Sequence, residues 1–571
     1  MLKKILALVL ALLMVMAVFV GCSTKKTNVG ETSETKPKAT AGTTLEDEED
    51  NEDLDTEADD DDDDDYIDEE ETTKDLDFSF ETDTNVIVDG TSKDDGKTVP
   101  ELLNPDNFIG VDDKVKELDF EGYSFNILGD TNNYQKEFIT ESDGDLVKDA
   151  LIERQTWVEE TLGITITITE TEGGYYNMEG YAAEIESASG AGTPYDLAIS
   201  YNLIPPVVAA KGLSKDLAES EYLNLLNTDK KYWGKEIKQE IMIGGRIFWM
   251  SDNASYNNIR NMLCLFVNTE FFERVNNQDR NYLYDMVENG SWTFDNMLVL
   301  VQGAYENTNT EGDGAAGKDD LDTFGLCTAA TNPWVDNWLY AAGYRYTKIN
   351  NRGSYEWTLD DQPMIDFIDW WQATIRDDDD IDIDDNVGGQ AQLKEGRAMF
   401  YLSYVGAVEG NLELDYTVLP MPLYKSSVKN TYSTPFSNGY SSWLIPKATK
   451  TEAFERSSAV LEALAGRANQ VIAPRYFELY LKRQVAATDP RMQVMFNIIR
   501  NSIVFDLGYL YGSSLTCENL GSGSGYAEVF IFLRRVWSDN KTYPNITTVW
   551  AQIKGTATTK LNNLMVDILD Y

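Results

Sequence analysis

From Tyr123 to Ser200 the chain alternates three β-rich runs with two helical periodicities, and this alternation restricts the fold more than any other feature. Tyr123 to Leu128 reads as a strand, ended by the turn Gly129-Asp130-Thr131-Asn132. A helix follows, capped by Asp143 or Asp145. Leu146, Ala150, Leu151, Val158 and Leu162 recur at helical spacing, and Gly163 stands at the C′ position. Ile164, Ile166 and Ile168 alternate with threonines as a second strand; a helix near Tyr181 to Ala188 and a strand at Asp196 to Ser200 complete the series. Strands separated by helices of this length need crossover connections, so a mostly parallel α/β sheet is predicted. Ligands bind such sheets beyond the carboxyl ends of the strands, which makes Asp130, Asn132, Tyr201 and Asn202 candidate contacts.

A second lobe is expected because Glu117 to Tyr571 is more chain than one hydrophobic core usually serves. Ile241 to Asn268 is the expected junction. Arg246 to Met250 and Met262 to Val267 have the weighting of short buried strands, while Ser251 to Asn261 between them is polar. That polar run reads either as a surface loop or as a crossing whose side chains line a cleft between lobes. On the second reading Trp249, Asp252, Asn253, Tyr256, Asn257 and Arg260 face a ligand, joined by Tyr404, Asn438 and Tyr440. Aromatic rings to stack on an apolar face, with amides and charges to pair with hydroxyls, are what a sugar requires. The 12 Trp and 31 Tyr of the chain supply the rings. Peptides or polyols could use the same groups.

The amino end reads as a secretory signal: Lys3 and Lys4, an apolar run from Ile5 to Val20, then Gly21 and Cys22. Its close resembles a bacterial lipobox, with Phe19 where Leu is usual, and this implies lipidation at Cys22; an uncleaved anchor would also hold the chain outside the membrane. Cys264, Cys327 and Cys517 are too scattered for a disulfide framework or a metal spacing and read as buried thiols. The chain has no histidine, which excludes a Ser-His-Asp triad, a Cys-His pair and imidazole zinc sites. Much of the net charge of −51 lies in Glu46 to Glu71, where 20 of 26 residues are acidic. Such a run repels itself and reads as a disordered spacer, and it argues against a nucleic-acid partner.

Asn309 to Asp320 carries oxygen side chains and a glycine at EF-hand-like positions, so Asn309, Glu311, Asp313 and either Asp320 or Asp322 could hold a structural calcium; the alternative is a solvated loop. No other cofactor is implied. Trp334, Trp338 and Tyr340, like Trp370 and Trp371, read as core packing, and Asp377 to Asp385 as an exposed acidic loop.

Several patches carry a family likeness. FVNTEFFERVN (Phe266 to Asn276), GSWTFDNMLVLVQGAYEN (Gly290 to Asn307), DTFGL (Asp322 to Leu326), KEGRAMF (Lys394 to Phe400), YTVLPMP (Tyr416 to Pro422) and NGYSSWLIP (Asn438 to Pro446) resemble the extracellular solute-binding proteins of family 1. These are the maltose-binding-like, lipid-anchored sugar receptors of bacterial ABC importers. The resemblance implies a two-lobed periplasmic-binding-protein-like fold with hinges near Ser251 to Asn257 and Leu414 to Thr417, and the turn bearing Tyr404 at the cleft. It also supports the calcium loop by position, and it implies a monomer that captures a mono- or oligosaccharide by closure and delivers it to permease subunits. The expected boundaries are 1–21 for the signal, 22–116 for the lipid-anchored disordered linker, 117–252 with 417–470 for the first lobe, and 253–416 with 471–571 for the second. No enzymatic step is expected. A secreted glycoside hydrolase, which needs only two carboxylates, and a surface carbohydrate-adhesion protein are the alternatives.

Overall fold

A computed structural model describes residues 108–571 apart from 224, 226–230, 235–239, 309–321, 329–333, 377, 384–391, 410–413, 425–431, 484–488, 519–525 and 530–545. The signal, Cys22, the acidic run and most of the calcium-like loop lie outside the described residues.

The first lobe is built on β1 (Tyr123–Asp130), β2 (Ile164–Thr171) and β3 (Leu197–Tyr201). β1 pairs in parallel with both, Tyr123 opposite Ile164 and Ile127 opposite Leu197, as the crossover pattern predicts. The Leu146–Leu162 helix between β1 and β2 starts where Asp145 accepts from the amides of Val147 and Lys148, and ends at Gly163 with φ 60°. Val147, Ala150, Leu151, Val158 and Leu162 form its buried face. Full burial of one such aliphatic side chain contributes about 1.5–3 kcal/mol. Late in the chain, β11 (Ser441–Leu444) returns to this sheet antiparallel to β3, giving the order β11-β3-β1-β2.

The second lobe holds β4 (Leu263–Asn268), β5 (Phe324–Thr328), β8 (Ile381–Ile383), β9 (Ala398–Tyr404) and β10 (Tyr416–Leu419) in the order β10-β4-β9-β5-β8. The β5 pairings are parallel and the β4 pairings antiparallel. Two hairpins, β6 (Thr347–Ile349) with β7 (Tyr355–Trp357) and β12 (Thr516–Glu518) with β13 (Tyr526–Glu528), lie outside the two main sheets. The molecule is thus an α/β chain of two lobes, and among the described residues Cys264, Cys327 and Cys517 are buried and joined by no disulfide.

Several boundaries differ from expectation. Packing begins before Glu117: Val111 and Val115 are buried, and Asn469 donates to the Ile109 carbonyl at 2.8 Å. Arg246 to Met250 is not a strand. Gly244 and Gly245 turn the chain at positive φ, and among the described residues its sheet contacts are single bridges at Ile243–Arg246 and Met250–Trp443. Tyr416–Leu419 stays in the second sheet, so the chain does not return at Leu414 to Thr417. The return comes at Pro435 to Ser441, beside the outgoing segment: Leu263 donates to Pro435 at 3.1 Å and Ser437 to Asn261 at 2.6 Å. A division at residue 470 would cut one continuous helix, Thr451–Arg483, which packs along Leu146–Leu162 of the first lobe. Within the acidic stretch from Asp377, Ile381 and Ile383 form an edge strand because their side chains alternate, and Asp380 accepts from the Gly303 and Tyr305 amides.

Candidate functional site

The carboxyl end of the first sheet is tied shut by Asp130. Its carboxylate is fully buried, accepting from the amides of Asn132 at 2.9 Å and Tyr201 at 3.0 Å. The sequence places Asp130, Tyr201 and Asn202 against a ligand. The structure makes them frame residues instead, because both Asp130 oxygens are engaged and Asn202 accepts from the Gly439 amide at 3.0 Å. Asn132 is exposed at this end.

Apart from Tyr256 and Arg260, the polar run after Ser251 is buried rather than cleft-facing. Asp252 accepts from the amides of Ala254 and Ser255 and from the Ser255 hydroxyl, so its carboxylate closes a turn. Asn253 is held by Arg500, whose guanidinium donates to its carbonyl at 2.8 Å. Burial pulls Arg500 down to about 10, opposed by the charge of Asp252. Asn257 donates through its side chain to the Gly439 carbonyl at 2.7 Å and the Ser441 hydroxyl at 3.0 Å. Its backbone amide donates to Glu137. Glu137 and Arg154 form an ion pair at 3.0 Å with neither side chain exposed; burial pushes the Glu137 carboxyl up to about 7, while the Arg154 charge opposes the shift. A buried charge without its partner is costly, so this pair anchors the Leu146–Leu162 helix to the crossing. Asp252, Asn253 and Asn257 therefore hold the hinge, and ligand contact by them is corrected to that role.

Trp249 and Tyr440 are likewise core. Trp249 donates to the Tyr511 hydroxyl at 3.3 Å, and Tyr440 packs on Phe436 with centroids 4.5 Å apart. Asn438 is half-buried and accepts from the Tyr509 hydroxyl. Asp322 is buried, accepting from the Tyr305 hydroxyl and the Thr308 amide at 2.9 Å each, so its oxygens brace the chain on either side of the loop. Asn309, Glu311, Asp313 and Asp320 lie outside the described residues.

What remains partly accessible is a cluster drawn from both lobes, backed by fully buried Tyr476. Arg260 pairs with Glu409 at 2.8 Å, their side chains 25% and 20% exposed. The Tyr476 hydroxyl, from the long helix on the first lobe, donates to the other Glu409 oxygen at 2.7 Å. Tyr256 lies under the Arg260 guanidinium at 5.4 Å and its hydroxyl donates to Glu409 at 3.4 Å. Burial, then the Glu409 charge, pushes that phenol up to about 12. Lys136, on the turn after β1, is pulled below its ordinary value by burial and by the nearby charge of Arg260. Arg260 is held above its ordinary value because Glu409 and surrounding tyrosines, Tyr404 among them, outweigh the opposing effect of burial. At the carboxyl end of β9, half-buried Tyr404 stacks on half-buried Trp334, centroids 6.3 Å apart at 23°. Planar aromatic faces beside a guanidinium, a carboxylate and an amine can hold an apolar ring face and pair with hydroxyls at its edge.

Tyr256, Arg260 and Tyr404 are thus brought together as expected. Lys136, Glu409, Tyr476 and Trp334 were missed. Trp334 precedes fully buried Trp338 by one turn, so their spacing suggested one core face. Its position at the first residue of the Trp334–Ala341 helix was the available signal, since a helix end often leaves the core.

No protein-family model matches the sequence, and no curated protein matches it. Solved structures do. The maltose/maltodextrin-binding domain MalE from Bdellovibrio bacteriovorus, bound to maltotriose, is 15% identical with a TM-score of 0.40, covering 78% of this chain and 99% of that one. The galacto-N-biose-/lacto-N-biose I-binding protein of an ABC transporter from Bifidobacterium longum, in complex with lacto-N-biose, is 12% identical with a TM-score of 0.44, covering 78% and 98%. A cyclo/maltodextrin-binding protein complexed with maltotetraose is 13% identical with a TM-score of 0.45, covering 78% and 96%.

Proposed function

We propose that this chain is an extracytoplasmic carbohydrate-binding protein of an ABC importer, capturing its ligand between two lobes and presenting it to membrane permease subunits. The half-exposed Trp334–Tyr404 stack, beside Arg260, Glu409 and Lys136 at the meeting of the two lobes, is the observation that carries this reading. A sugar ring stacks on the aromatic face while its edge hydroxyls bond to the charged groups. The paired crossings at Ile259 to Leu263 and Pro435 to Ser441 act as the hinge, and ligand contact with both lobes shifts the population toward the closed form. In this reading the amino-terminal signal directs export, Cys22 carries the lipid anchor, and the acidic run spaces the lobes from the membrane.

A thermal-shift screen of the purified protein against mono- and oligosaccharides, with chromatography of each sugar after incubation, tests it. A raised melting temperature with the sugar recovered intact is expected. Cleaved sugar would identify a glycoside hydrolase instead, and the absence of any shift at millimolar sugar would overturn carbohydrate binding.

A further inference from the structure

Half-buried Lys136 closes the short turn Tyr134–Lys136 after β1, and among the described residues its ammonium makes no ion pair and no hydrogen bond. The other charges around it are matched by contact. Glu137 faces Arg154, Arg260 faces Glu409, and the Asp130 oxygens are held by the Asn132 and Tyr201 amides. The turn is fixed on both sides of Lys136. Before it, Asn133 donates to the Gly439 and Tyr440 carbonyls at 3.1 and 3.0 Å; after it, Glu137 accepts from the Asn257 amide at 2.9 Å. Asn257 is the second residue of the Tyr256–Arg260 helix, so the turn lies against the helix that ends in Arg260. Burial and then the Arg260 charge pull the ammonium below its ordinary value, against the opposing charges of Asp130, Glu137 and Glu409.

Arg260 commits one nitrogen, Nη2, to Glu409 at 2.8 Å, and its Nε and Nη1 have no acceptor among the described residues. Glu409 is already engaged by Arg260, Tyr476 and Tyr256. Tyr404 lies near enough to act on the Arg260 charge, so the aromatic stack and the two cations border one site. A sugar hydroxyl can bond to an ammonium but brings no charge to it. A carboxylate brings both, and charge-assisted bonds are about twice as strong as neutral ones. One cation without a contact partner calls for a monoanion, since a dianion would leave a second charge uncompensated in a half-buried place. We propose that the captured ligand is an acidic saccharide, one whose ring carries a carboxylate, with Lys136 as its counterion and the free edge of Arg260 as a second donor; this rests on the carbohydrate reading. Lys136 then decides which sugars are held, and the Trp334–Tyr404 stack holds the ring that bears the charge.

Calorimetric titration of the full chain tests the proposal, using wild type, Lys136→Gln and Lys136→Arg. The probes are gluco-, galacto- and mannuronate disaccharides, their methyl esters, the neutral parent sugars and sulfate monoesters of those parents. Expected is binding of one uronate at least about tenfold tighter than its methyl ester, weakening as salt is raised. Lys136→Gln should abolish that preference, and Lys136→Arg should keep most of it. The Lys136 ammonium bonds to no other group, so both variants keep the fold, which their melting temperatures verify. A neutral sugar or ester bound as tightly as every uronate overturns the acidic ligand and leaves the carbohydrate reading standing. Equal losses for uronate and ester in Lys136→Gln overturn it as well, because the lysine would then act without regard to charge. A sulfate monoester preferred over every uronate overturns the carboxylate. Wild type that binds no probe overturns both this inference and the carbohydrate reading.

Discussion

The side-chain amide of Asn257 donates to the carbonyl of Gly439 at 2.7 Å, so the segment leaving the first lobe grips the segment returning to it. Asn133 donates to the same carbonyl at 3.1 Å, and Asn258 accepts from the Ser441 amide at 2.7 Å. Asparagines carry the hinge because one side chain both donates and accepts, which suits two irregular strands with unmet backbone groups. Asn257→Ala is expected to destabilise the protein by about 1–3 kcal/mol, since buried partners are left unsatisfied. Urea denaturation checks this; an unchanged midpoint would mean the crossings are not held in this way.

Gly439 itself has φ +95° with open space where a Cβ would stand. Gly439→Ala therefore meets a conformational cost without a clash, on the order of 1 kcal/mol. A small fall in melting temperature is expected, and a rise would contradict the left-handed geometry.

Tyr476 and Glu409 connect the long helix to the turn after β9 through one 2.7 Å hydrogen bond. Tyr476→Phe keeps the ring against Tyr256 and removes only the hydroxyl. A loss of about 1–2 kcal/mol is expected for a bond to a charged acceptor, read by urea denaturation; because Glu409 also pairs with Arg260, Glu409→Gln should cost more than Tyr476→Phe, and a double variant no worse than Glu409→Gln alone would confirm that the Tyr476 hydroxyl acts through Glu409.

Besides Glu137, two further carboxyls set a pH dependence. Burial pushes Glu240 up to about 7 from 4.5, with Arg345 opposing, and Asp506 up to about 6 from 3.8, with the Tyr346 amide opposing. Both are raised in the folded state, so the folded chain holds protons that the unfolded chain has released. Their contribution to stability is full below the unfolded values and is lost as pH rises through about 6 to 7. Melting temperature should fall from pH 5 to 8, less steeply in Glu240→Gln; an identical slope in the variant would remove Glu240 as a cause.

Much of the first lobe was legible in the sequence because it is local. Asp145 caps its helix, Gly163 ends it, and Ile164, Ile166 and Ile168 alternate into β2, each within a few residues of its cause. The outgoing segment near Ser251 to Asn257 was singled out but its polar side chains were misread, and the return was expected at Leu414 to Thr417 rather than at Pro435 to Ser441. A run of Asp, Asn and Ser looks solvated until Glu137, Gly439 and Arg500, distant in sequence, arrive to satisfy it. YTVLPMP contained a strand, but which sheet it joins depends on pairing with β4, which no local pattern encodes. Trp334 was hidden for a similar reason, since helical spacing does not say which end of a face leaves the core.

Calorimetric binding of a linear oligosaccharide to wild type and Trp334→Ala tests the central claim most directly, because Trp334 is half-buried and stacks on Tyr404 without contributing to the hinge. Saturable binding that weakens at least about tenfold in the variant, with both proteins folded, is the predicted result. Equal affinity in the two proteins, or no binding to either, would contradict a sugar site at the Trp334–Tyr404 stack.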